Sequence, residues 1–193
     1  LAKMMLWRYR PTIIGITGSV GKTSTKEAVY AVLKKRFRVR KTLKNYNNEI
    51  GVPLSVIGEL SGYRSIISWM RVLWRGFVLS FFKRRSDYPR VLVLEFGADR
   101  PGDIARLARM APATIGVLTA IAPAHTEFLG SLEKVAVEKF SLLSSLPAGG
   151  WAVLNIDSPA IAARLPQLEM KKVTYGFKTG ADIFGSEVQL NYD

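Results

Sequence analysis

Ile13-Ile14-Gly15-Ile16-Thr17-Gly18-Ser19-Val20-Gly21-Lys22-Thr23-Ser24 is the stretch that decides the fold. An apolar β-branched run, a glycine turn and the start of a helical pattern follow one another, which reads as strand, loop and helix N-terminus. Glycines let backbone N–H groups curl around an anion, and the helix N-terminus adds partial positive charge. Lys22 adds a full charge, and the Thr23 hydroxyl suits Mg²⁺. Gly18, Ser19, Gly21, Lys22, Thr23 and Ser24 are therefore the candidate nucleotide-binding residues. The general phosphate-loop pattern has glycine at position 16, where this chain has Ile, so the match is to a variant with glycines at 15, 18 and 21. A glycine turn that only caps a helix would not need Gly-Lys-Thr at a strand-to-helix junction.

Working outward, short Ile- and Val-rich runs alternate with segments of helical period, the pattern of a mostly parallel sheet flanked by helices. Strands are expected near Thr12–Thr17, Val39–Leu43, Val91–Phe96, Ile115–Ala120 and Trp151–Asn155. Helices fit Lys22–Phe37, Pro53–Leu60, Gly102–Met110, Leu132–Leu146 and Pro159–Leu165, and the tail after Lys171 reads as a few short strands. The fold class is α/β, a P-loop nucleotide-binding domain. Residues 1–10 read as a linker or the end of a preceding segment, and 11–193 as the domain.

Phosphoryl transfer needs Mg²⁺ as well as a cradle, and Mg²⁺ takes hard oxygen ligands. Glu95 ends the run Val91-Leu92-Val93-Leu94, at the carboxyl edge where ligands of open α/β folds collect. His125 follows the Ile115–Ala120 run and reaches the same edge. Leu132, Val135, Ala136, Lys139, Phe140 and Leu143 recur at three- and four-residue steps, so Lys139 sits near the buried edge of an amphipathic helix.

Composition narrows the classes. At 48% hydrophobic and 22% charged, 193 residues can fill a core. Zero cysteines exclude a disulfide scaffold, a zinc ribbon and a thiol nucleophile, with a reducing compartment as the default. Residues 1–90 hold 19 Lys and Arg against 4 Asp and Glu, and the remainder 9 against 11, so the +13 charge is concentrated in one half. Such asymmetry suits an anionic partner, whether phosphates, nucleic acid or a membrane surface, or a solvated basic face. No nucleic-acid reader element is present to take that role. Leu1–Arg10 lacks the form of a signal peptide, and a start at Leu1 with an end at Asp193 reads as a fragment.

Together these blocks resemble the central ATPase domain of the Mur ligases, and within that family the members that join D-alanyl-D-alanine to UDP-N-acetylmuramoyl-tripeptide. The resemblance covers roughly Pro11 to Pro159. It rests on Ile16 to Glu27, on Asn45-Tyr46-Asn47-Asn48-Glu49-Ile50-Gly51-Val52-Pro53-Leu54, on Glu95-Phe96-Gly97-Ala98-Asp99-Arg100-Pro101-Gly102-Asp103-Ile104, and on Thr119 to Lys139. It implies that Lys22 holds ATP phosphates, that Thr23 and Glu95 bind Mg²⁺, and that His125 helps bind a second Mg²⁺. It further implies that Lys139 is carbamylated and joins the metal site, that Asn155 contacts adenine, and that Asn45, Asn47 and Asn48 line the substrate side. The catalytic set so implied is Lys22, His125 and Lys139. A polar turn before a helix is the other reading of the asparagines. Ser141 stands where many members carry a carboxylate two residues after the modified lysine.

The activity implied is an ATP-dependent carboxylate–amine ligase of peptidoglycan precursor synthesis in the cytoplasm, acting through an acyl phosphate on a UDP-sugar peptide and a dipeptide. The family's N-terminal UDP-sugar domain and C-terminal domain are absent from this chain, so the isolated fragment is expected to be inactive. Alternatives are a sister ligase of the folylpolyglutamate or cyanophycin type, and a nucleotide-binding module without ligase chemistry. The stretch 62–90 looks like an insertion. Within it, Ile66, Ile67, Trp69, Met70, Leu73, Trp74, Phe77, Val78, Phe81 and Phe82 recur at helical steps among Arg71, Arg75, Lys83, Arg84 and Arg85. Residues 66–85 fit either a helix in the interface of the inner face of a membrane or a helical hairpin packed against another domain.

Overall fold

The computed structural model describes residues 1–43, 46–82, 87–123 and 130–186. Its strands are β1 (Thr12–Thr17), β2 (Val39–Lys41), β3 (Val91–Glu95), β4 (Ile115–Leu118), β5 (Trp151–Asn155), β6 (Lys171–Gly176) and β7 (Ile183–Phe184). Every pairing is parallel, in the order β2-β3-β1-β4-β5-β6-β7. The helices are α1 (Ala2–Tyr9), α2 (Lys22–Leu33), α3 (Gly51–Ile57), α4 (Ile66–Phe81), α5 (Asp103–Met110), α6 (Leu132–Ser144) and α7 (Pro159–Ala162).

Both sheet faces are covered, which is why β1 and β3 are apolar almost throughout rather than alternating. The two-residue period still sorts their side chains. Ile14, Ile16, Val91 and Val93 turn toward Val29 and Leu33 of α2. Ile13, Leu92 and Leu94 pack on the other face with Met5, Leu6, Val52, Ile104 and Leu107. A third cluster joins Leu118, Ala152 and Leu154 to Val135, Ala136 and Leu143 of α6 and Ile161 of α7.

The order places β1 between β3 and β4, with Ile16 beside Glu95 and Thr17 beside Leu118. Strands β2 and β3 lie to one side of β1 and β4 to β7 to the other. The loops after β1, β3 and β4 therefore open at one carboxyl edge, at the point where the strand order reverses.

Several bounds differ from the sequence reading. Helix α2 stops at Leu33, four residues early, and residues 34–36 form a turn. Helix α3 starts at Gly51 and stops at Ile57, because Gly58 adopts the left-handed conformation at φ 83°. Residues 2–9, given no element from sequence, form α1, with Met5 wholly buried and Tyr9 stacked on Tyr88 at 4.3 Å. Residues 66–81 form one continuous helix rather than a hairpin, capped by Ser65, whose Oγ accepts the Ser68 N–H at 3.2 Å.

Candidate functional site

The glycine loop is shaped by its neighbours. A Cβ at Gly18 would lie 2.0 Å from Thr119 Oγ1, and Gly21 holds φ 82°, where L side chains are strained. Thr119 follows β4 and donates its hydroxyl to Val20 O at 2.6 Å. Ser19 N–H donates to Ala120 O at 2.7 Å, and Ser19 Oγ donates to Ala122 O at 2.9 Å. The loop after β4 thus buttresses the loop after β1. Sequence reasoning did not single out Thr119, and only its place in the Thr119–Lys139 block signalled it.

Lys22 Nζ bends back and donates to Gly18 O at 2.8 Å and Ser19 O at 3.3 Å. Its ammonium is held over the loop that α2 follows, where an anion would meet both the charge and the helix N-terminus. Burial lowers its pKa, and Glu95 opposes that shift.

Glu95, at the end of β3, is 3% exposed. Its Oε2 accepts the Thr23 hydroxyl at 3.1 Å and lies 3.6 Å from Lys26 Nζ. Its Oε1 accepts from Asn47 Nδ2 at 3.2 Å, and its own N–H donates to Thr42 Oγ1 at 3.0 Å. The structure thus brings Thr23 and Glu95 together, adds Asn47, which the sequence reading put on the substrate side, and adds buried Lys26, a compensating cation that local pattern did not mark. Thr23 and Glu95 form a hard-oxygen pair with one carboxylate, which suits Mg²⁺ when nucleotide phosphates and water complete the shell. Among the described residues no group of three or more carboxylate or imidazole ligands gathers.

Lys139 on α6 is 3% exposed and opens into a cleft of about 690 Å³ with Lys22, Asn47, Asn48, Asp99, Arg100 and Asp103. Burial, then the Lys22 charge, pushes its pKa down to about 8, against the pull of Glu138, Asp99 and Asp103. Ser141 Oγ donates to Glu138 O at 2.6 Å, so it is engaged with backbone. Glu138 was not predicted. Its carboxylate turns to α5, accepting from Gly102 N–H at 2.7 Å and Ile104 N–H at 2.8 Å. Those are orphan donors of a helix N-terminus, and satisfying them locks α5 beside Lys139.

The asparagines divide. Asn48 Oδ1 accepts from Gly51 N–H at 2.9 Å and Ile50 N–H at 3.2 Å, the polar-turn role before α3, while Asn48 also lines the cleft. Asn155, at the carboxyl end of β5, accepts the Asp157 N–H at 3.0 Å through Oδ1. Ser24 lies in the first turn of α2. Asn45 and His125 lie outside the described residues.

A central strand of a parallel sheet that runs through a glycine loop into a helix, with a carboxylate from the adjoining strand at the loop, defines a P-loop-type α/β domain. The profile of the Mur ligase middle domain matches residues 16–63 and 76–193, and the chain belongs to that family. It is 38% identical over 183 residues to the UDP-N-acetylmuramoyl-tripeptide--D-alanyl-D-alanine ligase of Synechocystis sp., covering 93% of this chain and 34% of that protein. It is 36% identical over 180 residues to the ligase of that name from Mycobacterium tuberculosis, covering 93% of this chain and 30% of that one. The crystal structure of MurF ligase from Thermotoga maritima in complex with ADP superposes with a TM-score of 0.73 at 32% identity, over 94% of this chain and 36% of that one. The chain thus spans about a third of the length of these relatives.

Proposed function

We propose that this chain is the ATP-binding core of an ATP-dependent carboxylate–amine ligase of peptidoglycan precursor synthesis, one that adds D-alanyl-D-alanine to UDP-N-acetylmuramoyl-tripeptide. The observation that carries this reading is the convergence of Lys22, Asn47 and buried Lys139 on one cleft, with the Thr23–Glu95 pair joined to it through the Asn47 side-chain amide. The relatives' names and the ADP held by the Thermotoga protein support it. Residues 11–193 constitute the central domain, and 62–90 an insertion in it, supported by the family profile passing over 64–75. The UDP-sugar domain and the C-terminal ligase domain belong to the whole protein, so the chain alone binds nucleotide without ligating. Its place is the cytoplasm. Peripheral contact with the inner face of a membrane through 66–85 is part of the same proposal.

In the whole protein, the substrate carboxylate takes the γ-phosphoryl group of ATP, giving an acyl phosphate and ADP. The dipeptide amine then attacks the acyl carbon, phosphate leaves, and the amine loses a proton as the amide forms. Lys22 binds the β- and γ-phosphates and offsets their charge, and the loop amides hold them in line. Thr23 and Glu95 hold Mg²⁺, which when bound neutralises charge on the transferring oxygens. Lys139 is carbamylated, which replaces a buried cation facing Lys22 with an anion. The lowered pKa supports this, because only the uncharged amine reacts with CO₂. By the family resemblance, Asn45, Asn47 and Asn48 would serve the UDP-sugar peptide, Asn155 adenine and His125 a second Mg²⁺.

The test is ADP release by the whole protein. Release that requires UDP-N-acetylmuramoyl-tripeptide, with product only when D-alanyl-D-alanine is added, is the predicted result. Release driven by a folate and glutamate would assign a sister ligase, and ATP binding with no carboxylate-dependent release would leave a binding module.

A further inference from the structure

Helix α4 is mounted the reverse way from an ordinary surface helix. Its buried side is small: Val72, Gly76 and Ser80, one residue per turn, with Ser80 Oγ donating to Gly76 O at 2.7 Å. Arg71 and Arg75 reach from its flank to buried Glu59, at 3.5 and 2.7 Å, and pin it to the end of α3. At about 100° per residue, Ile66, Met70, Leu73, Trp74, Phe77 and Phe81 fall on one arc of about 100° that flanks the buried stripe. All six are exposed, from 41% for Phe77 to 78% for Ile66. Trp74 stacks on Phe77 at 6.0 Å, and Phe77 meets Phe81 at 4.9 Å, so the arc is a continuous aromatic surface. Apolar stripes of this extent on a soluble domain mark a site of association.

The charges around the arc select the partner. Neither α4 nor α1 contains an acidic residue, and α1 packs beside α4, its Tyr9 hydroxyl bonded to Leu79 O. Arg64 beside α4 and Arg10 at the end of α1 are exposed, and Arg71 and Arg75, both exposed as well, bring two charges to the single carboxylate of Glu59. Ile66, Met70, Leu73 and Trp74 fall in the stretch 64–75 that the family profile passes over, while Phe77 and Phe81 lie within the matched part. Among the described residues no helix is long and apolar enough to cross a membrane.

We propose that α4 docks on an anionic lipid surface, with its Trp74–Phe77–Phe81 side in the interface and the surrounding cations at the headgroups. This specifies the lipid chemistry and the residues of the peripheral contact proposed above, and it stands independently of nucleotide binding.

The experiment is co-sedimentation of the chain with phosphatidylglycerol/phosphatidylcholine vesicles and with phosphatidylcholine vesicles alone, at low and high salt, for wild type and Trp74→Ser/Phe77→Ser. Both side chains are exposed, and thermal unfolding and ATP affinity serve as controls on the variant. Wild type is expected to sediment with the anionic vesicles, with a blue-shifted tryptophan emission, less with phosphatidylcholine and less in high salt. The double variant should bind about tenfold more weakly or less, with ATP affinity unchanged. No sedimentation with anionic vesicles at low salt overturns the proposal, as does equal binding by the variant. Self-association abolished by the same two substitutions, without vesicle binding, would assign the face to a second copy of the chain. Loss of ATP binding in wild type would instead count against the nucleotide site and leave the lipid result standing.

Discussion

Lys139 is a cation buried on α6, with Lys22 lining the same cleft. Because its folded pKa of about 8 lies below the ordinary lysine value of 10.5, the fold disfavours the protonated form and the unfolded chain binds more protons between those values. Stability should therefore rise with pH across that window and the penalty should be complete below it. In CO₂-free buffer, urea stability of wild type relative to Lys139→Met is expected to climb from pH 8 to 10 with a slope of at most about 1.4 kcal/mol per pH unit. A flat difference would show that the amine is solvated. With ¹³C-bicarbonate added, a carbamate resonance should appear in wild type and be missing from Lys139→Met; its absence from wild type would remove the carbamylation proposal. The burial of Lys139 was legible, since three- and four-residue spacing put it at the edge of an apolar face. Lys26 and Glu138 were not, because each answers a partner far away in sequence, Glu95 in one case and the α5 amides in the other.

At the scale of elements, the site depends on joints between them. Glu138 joins α6 to the N-terminus of α5, and Glu138→Ala leaves two amides without their acceptor. A loss of about 1–3 kcal/mol in urea unfolding is expected, with Glu138→Gln, which keeps one amide oxygen as acceptor, falling between. Equal stability of all three would mean that the cap contributes nothing. Gly18 is the joint between the loops after β1 and β4. Gly18→Ala would push a methyl group into Thr119 Oγ1, so ATP affinity should fall about tenfold or more while the sheet still folds. Calorimetric titration with ATP checks it, and wild-type affinity would contradict the close approach. The strand, loop and helix around Lys22 were legible because three local signals coincide there: apolar run, glycine turn and helical period. Helix α1 was not legible. It is eight residues long, rich in cations and followed by Pro11, and what holds it is tertiary: Met5 in the core and Tyr9 on Tyr88, whose hydroxyl donates to Val56 O at 2.6 Å. The expected strand 39–43 shortens to Lys41; just past its end Thr42 N–H still donates to Val93 O at 2.9 Å, and the Thr42 hydroxyl receives the Glu95 N–H.

At the scale of the whole molecule, the alternation of runs foretold a parallel sheet but not its order. The position of β1 between β3 and β4 is what carries Thr23, Glu95 and the β4 loop to one edge. Sequence distance hides that: Glu95 lies 72 residues from Thr23 and bonds to it. The concentration of charge in residues 1–90 likewise acquires a location only in three dimensions, with part of it on the α1 and α4 side. The nucleotide site proposed at this edge is built around Lys22. The most direct measurement is titration of the chain with Mg-ATP by calorimetry, wild type against Lys22→Ala. Saturable binding by wild type, weakened about tenfold or more by the substitution with thermal unfolding unchanged, is the predicted result. Equal affinity in the two proteins would contradict it.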